Sequence, residues 1–123
     1  MKRVMVAVAV ALVCGAGTAR AQDPVKVDPK HYKVEFENDA VRMLRIQYAP
    51  GDKSVMHAHP DSVAVFLTSQ TGKFTTPDGK SEVVTAKAGE VKAIPGGLHL
   101  PENVGDQPLE LILVEFKAKP AAK

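Results

Sequence analysis

The sequence predicts an all-β fold, either a sandwich or a barrel. Short runs of β-branched and aromatic residues recur along it, separated by Gly, Pro, Asn and Asp clusters at spacings of about 8–12 residues. No amphipathic helical period follows residue 21. A length of 123 residues fits a single domain, and no solenoid-type repeat is present.

The chain begins with Lys2 and Arg3, an apolar run at 4–13, and small residues ending in Ala19-Arg20-Ala21. This is the pattern of a secretory signal peptide cut before Gln22. The apolar run is too short to span a bilayer. Cleavage removes Cys14, so the expected periplasmic or secreted product has no disulfide, thiolate ligand or Cys nucleophile. The expected division is 1–21 signal peptide, 22–40 leader and first strand, 41–118 β domain and 119–123 tail.

After cleavage, residues 22–30 contain Pro24 and Pro29 and read as an extended leader. A strand is predicted over 31–38, with Tyr32, Val34 and Phe36 on one face. Asn38-Asp39 turns the chain into a strand over 41–49, with Leu44, Ile46 and Tyr48 on one face and Arg42 and Arg45 outside or at an edge. Pro50-Gly51-Asp52 is a turn, and Pro60 stops a short strand over 54–59. The apolar run at 62–69 suits a strand covered on both faces. Strands at 72–76 and 81–86 flank Pro77-Asp78-Gly79-Lys80, whose Asp-Gly marks a hairpin. Residues 91–94 form a short strand closed by Pro95-Gly96-Gly97, and 98–104 form the next. The last strand, 109–117, follows Gly105-Asp106-Gln107-Pro108. It is apolar on both faces, which makes a homodimer through this sheet an expectation.

Charge excludes some partners. The full chain carries +2, but losing Lys2, Arg3 and Arg20 leaves 13 basic residues against 14 acidic, a net charge of −1. No basic run remains beyond Lys117 and Lys119, and there is no Trp for base stacking. Nucleic acid and, after cleavage, membrane are therefore not expected partners.

Three of the four histidines lie in two Gly-bounded segments, 51–72 and 89–103. His57 and His59 are two apart, so on a strand both rings point to one face. His99 follows Pro95-Gly96-Gly97 and could complete a three-nitrogen cap on a metal ion.

The two segments resemble the two motifs of the cupin superfamily. Gly51, His57, His59 and Gly72 match the first, and Gly89, Pro95, Gly97, His99 and Asn103 match the second. The resemblance covers roughly residues 41–116. It implies a double-stranded β-helix, or jelly-roll, barrel with a metal inside. His57, His59 and His99 would be the metal ligands, and Asn103 would support the second motif. The chain departs from the pattern twice: a single residue, Leu98, separates Gly97 from His99, and the ligand Glu is replaced by apolar Ala64 or Val65. Three neutral imidazoles without that acid suit Fe, Mn, Ni, Zn or Cu and leave open positions for water or an anionic or enolate-like ligand.

Other polar residues read as structural. Asp61 shapes a turn, Glu90 and Glu102 are solvated, and Glu115 forms a salt bridge or lies at an edge. His31 is a surface or interface residue, while Tyr48 and Met56 pack in the core. No catalytic residue is assigned. The expectation is an exported small cupin that binds a divalent transition metal and a small molecule. It acts either as a dioxygenase- or isomerase-type enzyme or as a non-catalytic binding protein.

Overall fold

The structure, a computed structural model, describes residues 22–118. The segment 1–21, expected to be a signal peptide, and the tail expected over 119–123 lie outside them. Among the described residues no helix is long and apolar enough to cross a membrane.

One helical turn, α1 (Pro24–Val27), precedes nine strands: β1 (Tyr32–Glu37), β2 (Val41–Tyr48), β3 (His57–His59), β4 (Ser62–Phe66), β5 (Gln70–Thr75), β6 (Ser81–Ala86), β7 (Val91–Ile94), β8 (Gly97–Asn103) and β9 (Leu109–Phe116). The extended leader expected over 22–30 is thus corrected. Asp23 caps α1 by accepting from Val25 N at 3.0 Å, and Pro24 sits where a helix start tolerates proline.

The strands form two sheets, ordered β1-β2-β9-β4-β7 and β3-β8-β5-β6. The all-β jelly roll is as expected, but a closed barrel is not: backbone pairing divides the strands between two sheets, making a sandwich. Register decides which side chains enter it. Leu44 pairs with Leu113 on β9, and Ala64 pairs with the same residue from the other side. Leu44, Ile46, Tyr48, Ala64, Phe66, Leu109 and Leu113 are all buried in the core.

The first strand departs from expectation. Tyr32 is buried, but Val34 and Phe36 are 44% and 51% exposed. A bulge between them breaks the alternation, so Phe36 pairs with Met43 on the outer face. The run after Pro60 covers only β4, whose residues alternate between buried and half-buried because one sheet face is solvated. The β5–β6 hairpin closes at the predicted Asp-Gly.

Gly51 and Gly89, which open the two motifs, have φ of 83° and 88°, which disfavours residues with a Cβ. Gly96 is constrained by space instead: a Cβ there would lie 3.0 Å from both Pro60 C and Asp61 N.

Candidate metal centre

The short strand β3 presents His57 and His59 to the interior and Ala58 away from it, as a two-residue period requires. β8 lies antiparallel beside β3, with His99 opposite His57. The two turns that bracket this pair are locked together. Gly96 N donates to Asp61 Oδ1 at 2.7 Å, which explains Asp61: its carboxylate holds the Pro95-Gly96-Gly97 turn against the end of β3.

The three imidazoles meet through their Nε2 atoms. His57 Nε2 lies 3.0 Å from His59 Nε2 and 3.2 Å from His99 Nε2, and one nitrogen from each ring fits within a 4.8 Å group. The opposite edges of two rings are engaged elsewhere. His57 Nδ1 donates to Val55 O at 2.8 Å, and His59 Nδ1 donates to Glu115 Oε2 at 2.7 Å. A neutral ring that donates from Nδ1 has a bare lone pair on Nε2. At 3.0 Å the His57 and His59 Nε2 atoms are close enough to share one proton, and a cation between them can take that proton's place. Two imidazoles about 2.1 Å from one metal stand about 3.0–3.4 Å apart, which matches these spacings. Burial, followed by the neighbouring rings, pushes His57 down to about 4 and His99 down to about 3. Both rings are therefore neutral donors near neutral pH.

Two chains of polar contacts lead from this cluster to α1. Glu115 accepts from Arg42 Nε at 2.7 Å, and Arg42 donates through Nη1 and Nη2 to Asp23, the α1 cap, at 2.8 and 3.0 Å. Burial raises the Glu115 carboxyl, but the His59 and Arg42 bonds outweigh it and hold the group below its ordinary range. On the other side Ser54 Oγ lies 3.4 Å from His57 Nδ1 and donates to Asp28 Oδ2 at 2.6 Å. Partners of this kind fix ring tautomer and orientation.

Several sequence expectations change here. Glu115 does form a salt bridge, but it sits on a central strand behind a candidate ligand, not at an edge. Arg42 shares the inward parity of Leu44 and reaches under the site. His31 is buried, not superficial. Its Nδ1 lies 2.7 Å from Asp28 Oδ2, its Nε2 lies 2.9 Å from Asp52 Oδ2, and its ring stacks on Tyr48 at 4.2 Å. Tyr48 is core, as expected. Its hydroxyl meets that of Tyr32 at 2.5 Å, and burial pushes its pKa up to about 12. Asn103 donates to Gln107 O at 2.9 Å and accepts from Gly105 N at 3.0 Å, holding the turn after the second motif.

The missing acid is resolved between its two positions. Ala64 faces inward at 1% exposure, whereas Val65 faces out, so the position open to the interior is Ala64. It lines a cavity of about 90 Å³ that lies between the sheets and touches His59 and His99.

Comparisons with known proteins agree with this geometry. No family model matches the chain. Germin-like protein 5-1 from rice (Oryza sativa subsp. japonica) is 38% identical over 76 residues, covering 58% of this chain and 34% of that protein. Germin-like protein 1-1 from the same plant is 36% identical over 76 residues, covering 58% and 35%. The chain thus spans about a third of the length of these curated relatives. Among solved structures, a cupin domain from Bordetella pertussis superposes with a TM-score of 0.66 and 27% identity over 71% of this chain and 92% of its own. A cupin superfamily protein from Desulfitobacterium hafniense gives a TM-score of 0.54 at 11% identity, over 71% and 76%.

Proposed function

The chain belongs to the cupin superfamily, and on that premise we propose that it is an exported protein that holds one divalent transition metal through His57, His59 and His99 and takes a small organic ligand beside it. The observation that carries the reading is the convergence of the three Nε2 atoms, with His57 Nε2 3.0 Å from that of His59 and 3.2 Å from that of His99. Export rests on the leader pattern at 1–21.

The chain's own residues do the following. Val55 O and Glu115 orient His57 and His59 so that Nε2 is the free donor. Arg42 balances the Glu115 charge from behind. The apolar walls between the sheets keep water from the ligand side. When bound, a metal of the Fe, Mn, Ni, Zn or Cu group supplies Lewis-acid polarisation of a ligand oxygen. Dioxygenase- or isomerase-type chemistry on that ligand is the fuller reading, favoured by a cavity that touches two of the three histidines. Non-catalytic binding is the second reading. It is favoured by Ala64 in place of an acid and by a cavity wall whose hydroxyls, Tyr32 and Tyr48, are held protonated.

Pairing of two copies is also proposed. Phe36, Met43, Val114, Val63 and Ala93 form one row across the outer face of the five-stranded sheet. A monomeric mass by light scattering at micromolar concentration would count against it.

Metal analysis tests the main reading. The protein purified without chelator is expected to carry one transition metal per chain, and His57→Ala/His99→Ala none. No metal in either protein, even after reloading with each candidate ion, would overturn it. Oxygen uptake in a turnover screen with Fe(II), Mn(II) and Ni(II) separates the enzymatic reading from the binding one.

A further inference from the structure

We infer that the N-terminal turn α1 belongs to the metal centre: it closes the seam between the two sheets beside the histidines, and Asp23 and Asp28 at its two ends are positioning residues for His59 and His57. This rests on the metal-holding reading above and extends that site to residues that precede both histidine segments.

The seam follows from the sheet order. β1 ends one sheet and β3 ends the other. The two edges face each other, since the Tyr32 ring of β1 meets the rings of His57 and His59 at 4.9 and 5.7 Å between centroids. β3 is three residues long and pairs on one side only, with β8. A short edge strand with unpaired backbone is the part of a sheet most prone to open locally. α1 packs on both β1 and β3. Its Pro24 is fully buried, and Val25 packs against the core. The strand that carries two of the three rings is therefore backed by α1 as well as by β8.

The two aspartates take α1 beyond packing. Asp23 already caps the turn through Val25 N. It also accepts from Nη1 and Nη2 of Arg42, whose Nε donates to Glu115 Oε1, while Glu115 Oε2 accepts from His59 Nδ1. Glu115 and Arg42 are 3% and 18% exposed at their side chains, so these charge-assisted bonds are shielded from water and directional. At the other end Asp28 accepts from Ser54 Oγ at 2.6 Å. Ser54 stands 3.4 Å from His57 Nδ1 and precedes Val55, whose carbonyl takes that ring's proton at 2.8 Å. Holding Ser54 holds the carbonyl that faces His57. One four-residue turn thus sets both rings of β3, each by its own route. Rings fixed before a metal arrives lose less freedom on binding it.

The test reads each ring separately. In protein carrying isotope-labelled histidine, nitrogen NMR reports which ring nitrogen holds the proton, with no metal needed. Asp23→Ser keeps an oxygen to cap α1 but releases Arg42. It is expected to leave His57 fixed, to let the His59 proton distribute over both ring nitrogens, and to weaken Co(II) binding about tenfold by visible absorption. Asp28→Ala is expected to do the same to His57 and to leave His59 fixed. Asp28→Asn, which can still accept from Ser54, is expected to restore most of that loss. Leu44→Val, a core change away from the cavity wall, controls for stability: Tm falls, with both rings and Co(II) affinity unchanged. If the aspartate variants only lower Tm, as Leu44→Val does, the inference is overturned and the metal reading stands. The same holds if each variant loosens both rings together, since that is general loosening. If the native protein takes up no Co(II), both fail.

Discussion

Two buried histidine clusters lie a few residues apart in this fold, and they are chemically opposite. His31 has a carboxylate at each ring nitrogen, Asp28 at Nδ1 and Asp52 at Nε2. His57 and His59 have acceptors only behind them, at Nδ1, and turn their Nε2 atoms toward each other and, through His57, toward His99. The first cluster is complete within the protein. The second gathers three ring nitrogens where a cation could be held. Burial alone does not distinguish them, since His31, His57 and His59 are all buried. What distinguishes them is where the acids stand: at both ring nitrogens of His31, and at Nδ1 alone of His59.

The largest test of this contrast is a pair of substitutions. His57→Ala is expected to weaken metal binding more than about 100-fold, since removal of a mere supporting partner already costs 10–100-fold. His31→Ala is expected to keep one metal per chain and instead lose about 1–3 kcal/mol of stability in urea unfolding, because it takes one of two side-chain partners from the buried Asp28 carboxylate. Metal loss in His31→Ala to the same degree would merge the two clusters into one.

Glu115→Gln sharpens the role of the acid behind the ring. It is expected to weaken metal binding about 10–100-fold without changing stoichiometry. Acid unfolding gives a second readout. The folded Glu115 carboxyl lies below its ordinary 4.5, so its stabilising contribution is full above that value and is lost as pH falls through the lower folded value. Glu115→Gln should therefore show a shallower stability loss than the native chain below about pH 4.5.

The candidate ligand histidines themselves should mark the metal-free protein. His57 and His99 sit at about 4 and about 3, against an ordinary 6.5. The unfolded chain takes up protons first, so stability is full above 6.5 and is lost as pH falls through the window down to the folded values. His57→Ala/His99→Ala should flatten that loss in urea midpoints measured from pH 7 to pH 4. The smallest effect belongs to the lock between the motifs. Asp61→Ala removes the acceptor for Gly96 N and is expected to cost about 1 kcal/mol with metal stoichiometry intact.

Much of this was legible in the chain. Alternation placed Leu44, Ile46 and Tyr48 on the core face, Asp-Gly placed the hairpin, and a two-residue spacing put His57 and His59 together. These are local signals, set by the strand period and turn chemistry, and they survive without knowledge of neighbours. The first strand misled because its bulge shifts the pairing partway along, and nothing in Tyr32, Val34 and Phe36 announces it. The leader departs from expectation because proline, which breaks a helix from within, also starts one after an Asp cap.

By itself the sequence determined the strands, the turns between them and the three histidines, because each depends on residues a few positions apart. Only the tertiary structure decided that His99 stands opposite His57, that Glu115 and Arg42 lie behind His59, that His31 is buried between two carboxylates, and that Ala64, not Val65, faces the cavity. These facts depend on which strands pair and in what register. Pairing between strands far apart in the chain is set by closing the whole sandwich, and the residues on either strand do not encode it alone.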